Sequence, residues 1–306
     1  MSSPQGAVAP GRADPIARPG VSTTDLMLLG MSIIWGVNFS VVKYGTTQMP
    51  AIAFNGIRMT IAVLTLALLV RLRGGLGMSW RDARGLFVLG LFSNGLYQIM
   101  FIEGIARTRA GTVALILAAG PAFVALIGKF LGVERVSARG WSGIALSLAG
   151  IALVTVGTPA SSSGAATLTG NLLVLGGAFL WAGFSVLLKP YANRIGAAQL
   201  GAVTMLGGLL PLLLVATPAL GGLSWGAISG GTWGALMYSG FGALVVAGLF
   251  WVRGVRVLGP TRTAMYVNLQ PVMALLVAWA ALGEIPTAAQ WGGTGAIIAG
   301  VVLTRS

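Results

Sequence analysis

The chain has 306 residues, of which 56% are hydrophobic and 8% charged, with a net charge of +13 and a mean hydropathy of +0.89. Soluble domains are about 25% charged, so this composition excludes a soluble globular protein and defines a polytopic membrane protein whose element lengths the bilayer sets. Cysteine and histidine are both absent, which excludes disulfides, thiolate or imidazole metal sites and every catalytic scheme that needs either side chain; no metal, no cofactor and no enzyme activity are expected.

Residues 1–24 carry Pro4, Pro10, Pro15 and Pro19 among Gly, Ser and Arg, with no apolar core. They read as a disordered cytoplasmic tail and lack the apolar stretch of a signal peptide. Ten apolar runs follow: Asp25–Tyr44, Ala51–Leu72, Arg84–Ile105, Gly111–Leu131, Ala138–Gly157, Gly170–Lys189, Ala197–Thr217, Gly231–Val252, Pro260–Leu282 and Thr287–Leu303. They are about twice the length of a barrel strand and lack period-2 alternation, so they predict helices. The expected fold is an all-α polytopic membrane protein with ten transmembrane helices.

The chain repeats itself. Pro121, Glu134, Trp141 and Gly150 recur 150 residues later as Pro271, Glu284, Trp291 and Gly300. Trp35 and Lys43 bracket Phe-Ser-Val, as do Trp181 and Lys189. Residues 25–157 form a first repeat of five helices, 158–169 an extracytoplasmic linker and 170–304 a second repeat. Five helices is an odd number, so the second repeat enters the membrane upside down, the arrangement that builds a site near the midplane with two alternative openings.

Orientation follows from Lys and Arg. With the N-terminus inside, fifteen of the nineteen fall in inner segments; Lys43, Arg107 and Arg109 fall outside, and Arg58 lies within a span. Both termini are therefore expected in the cytoplasm. Basic residues confined to short loops orient a membrane protein and do not form a nucleic-acid groove, so the expected partners are the lipid bilayer and a small-molecule substrate.

The stretches LLGMSIIWGVNFSVVKYG, PAIAFNGIR, ARTRAGTVALILAAGPAFVALIG, VERVS and VLGPTRTAMYVNLQPVMALLVAWAALGE resemble the EamA family of the drug/metabolite transporter superfamily, and among its members the YddG-type amino-acid exporters. The resemblance covers nearly all of residues 25–304. It implies ten helices, an inverted five-plus-five repeat and export of small metabolites. Val133-Glu134 stands where the family usually has Gly-Glu, a change that affects a turn.

Candidate substrate-binding residues lie inside the spans. Asn94, Tyr97, Gln98 and Phe101 share one face of the third helix at i, i+3, i+4 and i+7; Trp251 is the counterpart of Phe101 at the repeat offset. Trp35 and Asn38 lie on the first helix and Trp181 echoes Trp35 on the sixth; Trp can wall an amphipathic substrate. Tyr266 and Gln270 are i, i+4 neighbours before Pro271, which leaves the Val267 carbonyl without its helical donor. Pro121 and Pro271 are candidate hinges. Asn55 and Arg58 share a face of the second helix, and Arg58 reads as architecture, its charge snorkelling or meeting helix-end carbonyls. Glu103, the single acid within a span, is the candidate for proton coupling, with Arg107 one turn away as a ready ion-pair partner. Gly292, Ala296 and Gly300 read as a close-packing face.

These residues predict a secondary transporter of the inner membrane that exports neutral or aromatic amino acids by alternating access. Proton-coupled efflux of cationic drugs, which would want Glu103 facing the cavity, and a channel-like facilitator are the alternatives.

Overall fold

The computed structural model describes residues 21–107, 113, 116–117, 120–133, 135–156, 168–273 and 287–305. Most of the expected tail and linker, Arg109, Glu134, Glu284 and the second half of the ninth expected span lie outside these residues. The described helices are α1 (Thr23–Gln48), α2 (Ala51–Leu72), α3 (Trp80–Arg107), α4 (Gly120–Phe130), α5 (Ala138–Val156), α6 (Leu168–Ala192), α7 (Ala197–Gly221), α8 (Gly230–Leu258), α9 (from Pro260) and α10 (Ala288–Arg305). No strand occurs among the described residues. Six of these helices, α1, α2, α3, α6, α7 and α8, are long and apolar enough to cross a membrane. In lipid every backbone group must bond within its own helix, which is why apolar runs of this length fold this way.

Side chains fix where several helices begin. Ser22 and Asp25 form a reciprocal capping box at α1: the Ser22 backbone N–H donates to Asp25 at 2.8 Å and the Asp25 N–H donates to Ser22 Oγ at 3.2 Å. Ser79 accepts from Asp82 N–H and Ser229 from Thr232 N–H in the same way. The Ser79 cap starts α3 four residues before the expected Arg84, because Arg81 and Asp82 belong to a solvated first turn and not to a loop.

The two halves run in opposite directions. At one end, Thr24 accepts from Arg253, and a side chain at Gly254 would meet Leu28, so the start of α1 lies against the end of α8. Lys189, near the end of α6, donates to the carbonyls of Val255 and Arg256 at that same end. At the other end, Lys43 of α1 donates to the carbonyls of Ile105 and Ala106, and a side chain at Gly104 would meet Val174 near the start of α6. Helices α1 and α6 are therefore antiparallel, and each lysine closes the carbonyl end of the third helix in its own half. The α5–α10 crossing repeats the symmetry: a Cβ on Gly150 would sit 2.6 Å from the Gly293 carbonyl, and one on Gly300 2.6 Å from that of Gly143. Gly292, grouped with Gly300 from the sequence, would meet nothing.

Two helices depart from α geometry at matching positions. Leu91–Leu96 of α3 and Tyr238–Val246 of α8 wind as π-helix, a form found as short bulges at functional sites. In α9, Tyr266–Leu269 tighten into a 3₁₀ turn just before Pro271, and the Gln270 backbone N–H donates to the Val267 carbonyl. The tightened turn thus supplies the donor that Pro271 cannot.

Candidate functional site

The irregular segments surround a cavity between the two halves. It holds about 800 Å³ of space between protein atoms, counting what opens to solvent. Its walls come from α1 (Trp35, Asn38, Phe39), α2 (Arg58), α3 (Asn94, Tyr97, Gln98, Phe101), α6 (Ala178, Trp181), α7 (Met205), α8 (Ala243, Leu244, Gly248) and α9 (Val267, Gln270), with Leu117 and Gly120 before and at the start of α4. Trp35 is the thirteenth of 26 residues in α1 and Trp181 the fourteenth of 25 in α6, so the cavity lies halfway along the helices.

Aromatic rings from both halves meet there. The centroid of Trp181 is 5.9 Å from Trp35, 5.2 Å from Tyr97, 5.4 Å from Trp251 and 5.2 Å from Phe184. Tyr97 stacks on Phe101 at 5.8 Å. Trp35 Nε1 donates to the Ala243 carbonyl within the π segment of α8 at 2.9 Å, which fixes the ring against the second half.

The polar wall is organised by Arg58. It is 1% exposed and borders the cavity. Its Nε donates to Asn55 Oδ1 at 2.7 Å, Nη1 to Ser239 Oγ at 2.8 Å and Nη2 to Gln98 Oε1 at 2.7 Å; Asn55 Nδ2 in turn donates to the Gln98 carbonyl at 2.9 Å. The guanidinium carbon lies 5.8 Å from the centroid of Phe101. Snorkelling does not describe this residue: it points inward and joins α2, α3 and α8. The i, i+3 pairing of Asn55 with Arg58 was visible in the sequence, but Gln98 and Ser239 come from other helices, so nothing local marked the network.

Trp35, Asn38, Asn94, Tyr97, Gln98, Phe101, Trp181 and Gln270 are brought together at the cavity. Three other candidates are not. Trp251 is 1% exposed and stands behind Trp35 and Trp181, lining a smaller adjoining hollow. Tyr266 is buried and its phenol donates to Asp25 at the start of α1, away from the cavity. The 3₁₀ turn explains the difference: at three residues per turn in place of 3.6, Tyr266 and Gln270 no longer share a face. Glu103 is ion-paired with Arg107 and does not border the cavity, so the carboxylate that efflux of cationic drugs would want is not found there. Glu103→Gln is expected to leave proteoliposome flux unchanged and to shift unfolding by less than about 1 kcal/mol, since half-exposed ion pairs contribute little. Pro121 is buried in α4 and Pro271 follows the 3₁₀ turn of α9. Among the described residues no group of acidic side chains could hold a metal ion.

Antiparallel halves of apolar helices around a central amphipathic cavity define a membrane transporter built on an inverted repeat. The model of the EamA-like transporter family matches residues 22–156 and again 168–306, and the chain belongs to that family. It is 26% identical over 289 residues to the uncharacterized inner membrane transporter YedA of Escherichia coli, covering 90% of this chain and 88% of that one. It is 26% identical over 275 residues to a probable terminal-alkyne amino-acid exporter of Streptantibioticus cattleyicolor, covering 89% of each. A solved crystal structure matches with a TM-score of 0.74 over 92% of this chain and 96% of that chain at 19% identity, which concerns the fold alone.

Proposed function

We propose that the protein is a secondary transporter of the inner membrane that exports small amphipathic metabolites, with neutral and aromatic amino acids as its cargo. The observation that carries this reading is the halfway cavity whose aromatic wall draws Trp35 and Tyr97 from one half and Trp181 from the other. Rings on both halves hold an apolar side chain, while the amides of Asn38, Asn94 and Gln270 hold its polar end. Rocking of one half against the other exposes the site alternately to each side, with the backbone at Pro121 and Pro271 as hinges. The asymmetry of Lys and Arg supports cytoplasmic termini, and the amino-acid exporter among the relatives supports the cargo class. Counterflow in proteoliposomes across an amino-acid panel tests the proposal. Saturable flux accelerated by substrate on the opposite side is expected of a carrier; linear flux would mean a channel, and no flux for any amino acid would overturn the cargo.

A further inference from the structure

The structure assigns the cavity a charge preference that goes beyond its shape: we propose that the site selects molecules with a free carboxylate, and that Arg58 is the residue responsible. The inference rests on the export reading and names the charge its cargo must bear. Among the described residues, Arg58 is the single formally charged side chain on the cavity wall, and no Asp or Glu borders it. Its partners, Asn55, Gln98 and Ser239, are all neutral. They orient the guanidinium and solvate it without cancelling its charge.

A buried cation left uncompensated is costly, and replacement of such a group by apolar residues often stabilises a fold. A purely architectural role is therefore a poor reason for Arg58. Three of its five N–H groups are taken by the bonds above, which leaves one N–H on each terminal nitrogen to donate to a carboxylate. Away from water its field falls off slowly, so an arriving anion is favoured at this wall and an ammonium is opposed. Phe101, Tyr97 and Trp181 continue from the guanidinium as an apolar surface. The cavity thus presents a cationic end joined to an aromatic slot, which fits an aromatic acid or amino acid and disfavours an aromatic amine.

The test uses three probes with one ring system: phenylalanine, 3-phenylpropionate and 2-phenylethylamine. Each is titrated against the detergent-purified full chain, with the apparent Kd read from thermal unfolding. Phenylalanine and 3-phenylpropionate are expected to bind, and the amine at least about tenfold more weakly, the loss of one charge-assisted bond. Because removal of Arg58 could unfold the protein, the informative variant is Gln98→Glu. It sets a carboxylate of nearly the same shape against the guanidinium, keeps its hydrogen bond and neutralises it. Binding of 3-phenylpropionate is expected to weaken by about tenfold or more in this folded variant. Amine binding as tight as acid binding in the wild type, or undiminished acid binding in Gln98→Glu, would overturn the proposal and leave the export reading standing. Absence of flux across the whole amino-acid panel would remove both.

Discussion

Gly208→Leu is expected to leave little folded protein in the membrane, and Gly208→Ala to lower the unfolding midpoint sharply. The reason is the crossing of α3 and α7. A Cβ on Gly208 would lie 2.3 Å from the carbonyl carbon of Asn94 and 2.5 Å from the nitrogen of Gly95. One on Gly207 would lie 2.3 Å from the Phe87 carbonyl, and one on Gly90 2.0 Å from that of Thr204. These are backbone atoms, which cannot rotate aside as a side-chain tip can, so the helices themselves would have to part. Packing between membrane helices draws on such close approach, because lipid tails compete for any looser apolar contact. Overpacking costs about 1–3 kcal/mol where side chains can adjust, and the cost here sits at or above that range. Displacement would also carry the π segment, with Asn94 in it, away from the cavity, so transport should fall before folding is lost. Size-exclusion yield and thermal unfolding check the stability, with Gly234→Ala as the control: it lies in α8, would meet nothing within 4 Å, and is expected to be neutral or to gain up to about 1 kcal/mol. Equal behaviour of Gly208→Ala and Gly234→Ala would refute the close crossing.

What the sequence disclosed and what it hid divide along physical lines. Periodicity within a helix and identity between halves are one-dimensional signals, and they placed Asn94, Tyr97, Gln98 and Phe101 on one face. The lysines show how far the repeat signal reaches. Lys43 and Lys189 are 146 residues apart, yet the carbonyls they meet, Ile105 and Val255, are 150 apart. The offset therefore changes between the first and third helices of each half, and no single subtraction finds both. Contacts between helices left no such trace. Arg58 read as peripheral architecture because its partners lie 40 and 181 residues away. Tyr266 and Gln270 share a face only if α pitch holds up to Pro271, and the residues before it are a 3₁₀ turn instead. Tightening into 3₁₀ upstream of a proline restores a hydrogen bond but rotates the preceding residues, so i, i+4 reasoning fails at such a bend.

Trp181→Ala is expected to abolish amino-acid counterflow, with Trp181→Phe retaining part of it. Trp181 is the ring where the halves meet: its centroid lies within 5.9 Å of both Trp35 and Tyr97 from the first half, and within 5.4 Å of Trp251 and Phe184 from the second. Truncation would open the slot toward the hollow behind it, which Trp181 already separates from the cavity while bordering both. A cargo side chain would then lose its stacking surface, and Trp35 and Trp251 would lose a ring that both pack against. Loss of a large aromatic from a packed core costs about 3–5 kcal/mol; Trp181 is only partly buried, so the stability cost falls below that range while the functional cost does not. Phenylalanine at this position keeps an aromatic face toward Tyr97 but is too short to meet every neighbour, so an intermediate rate is expected. Comparing counterflow with the thermal midpoint separates the two effects: a folded Trp181→Ala protein with wild-type flux would mean that the cargo passes without touching this wall, since a carrier that grips its substrate between halves cannot lose the ring at their junction and keep its rate.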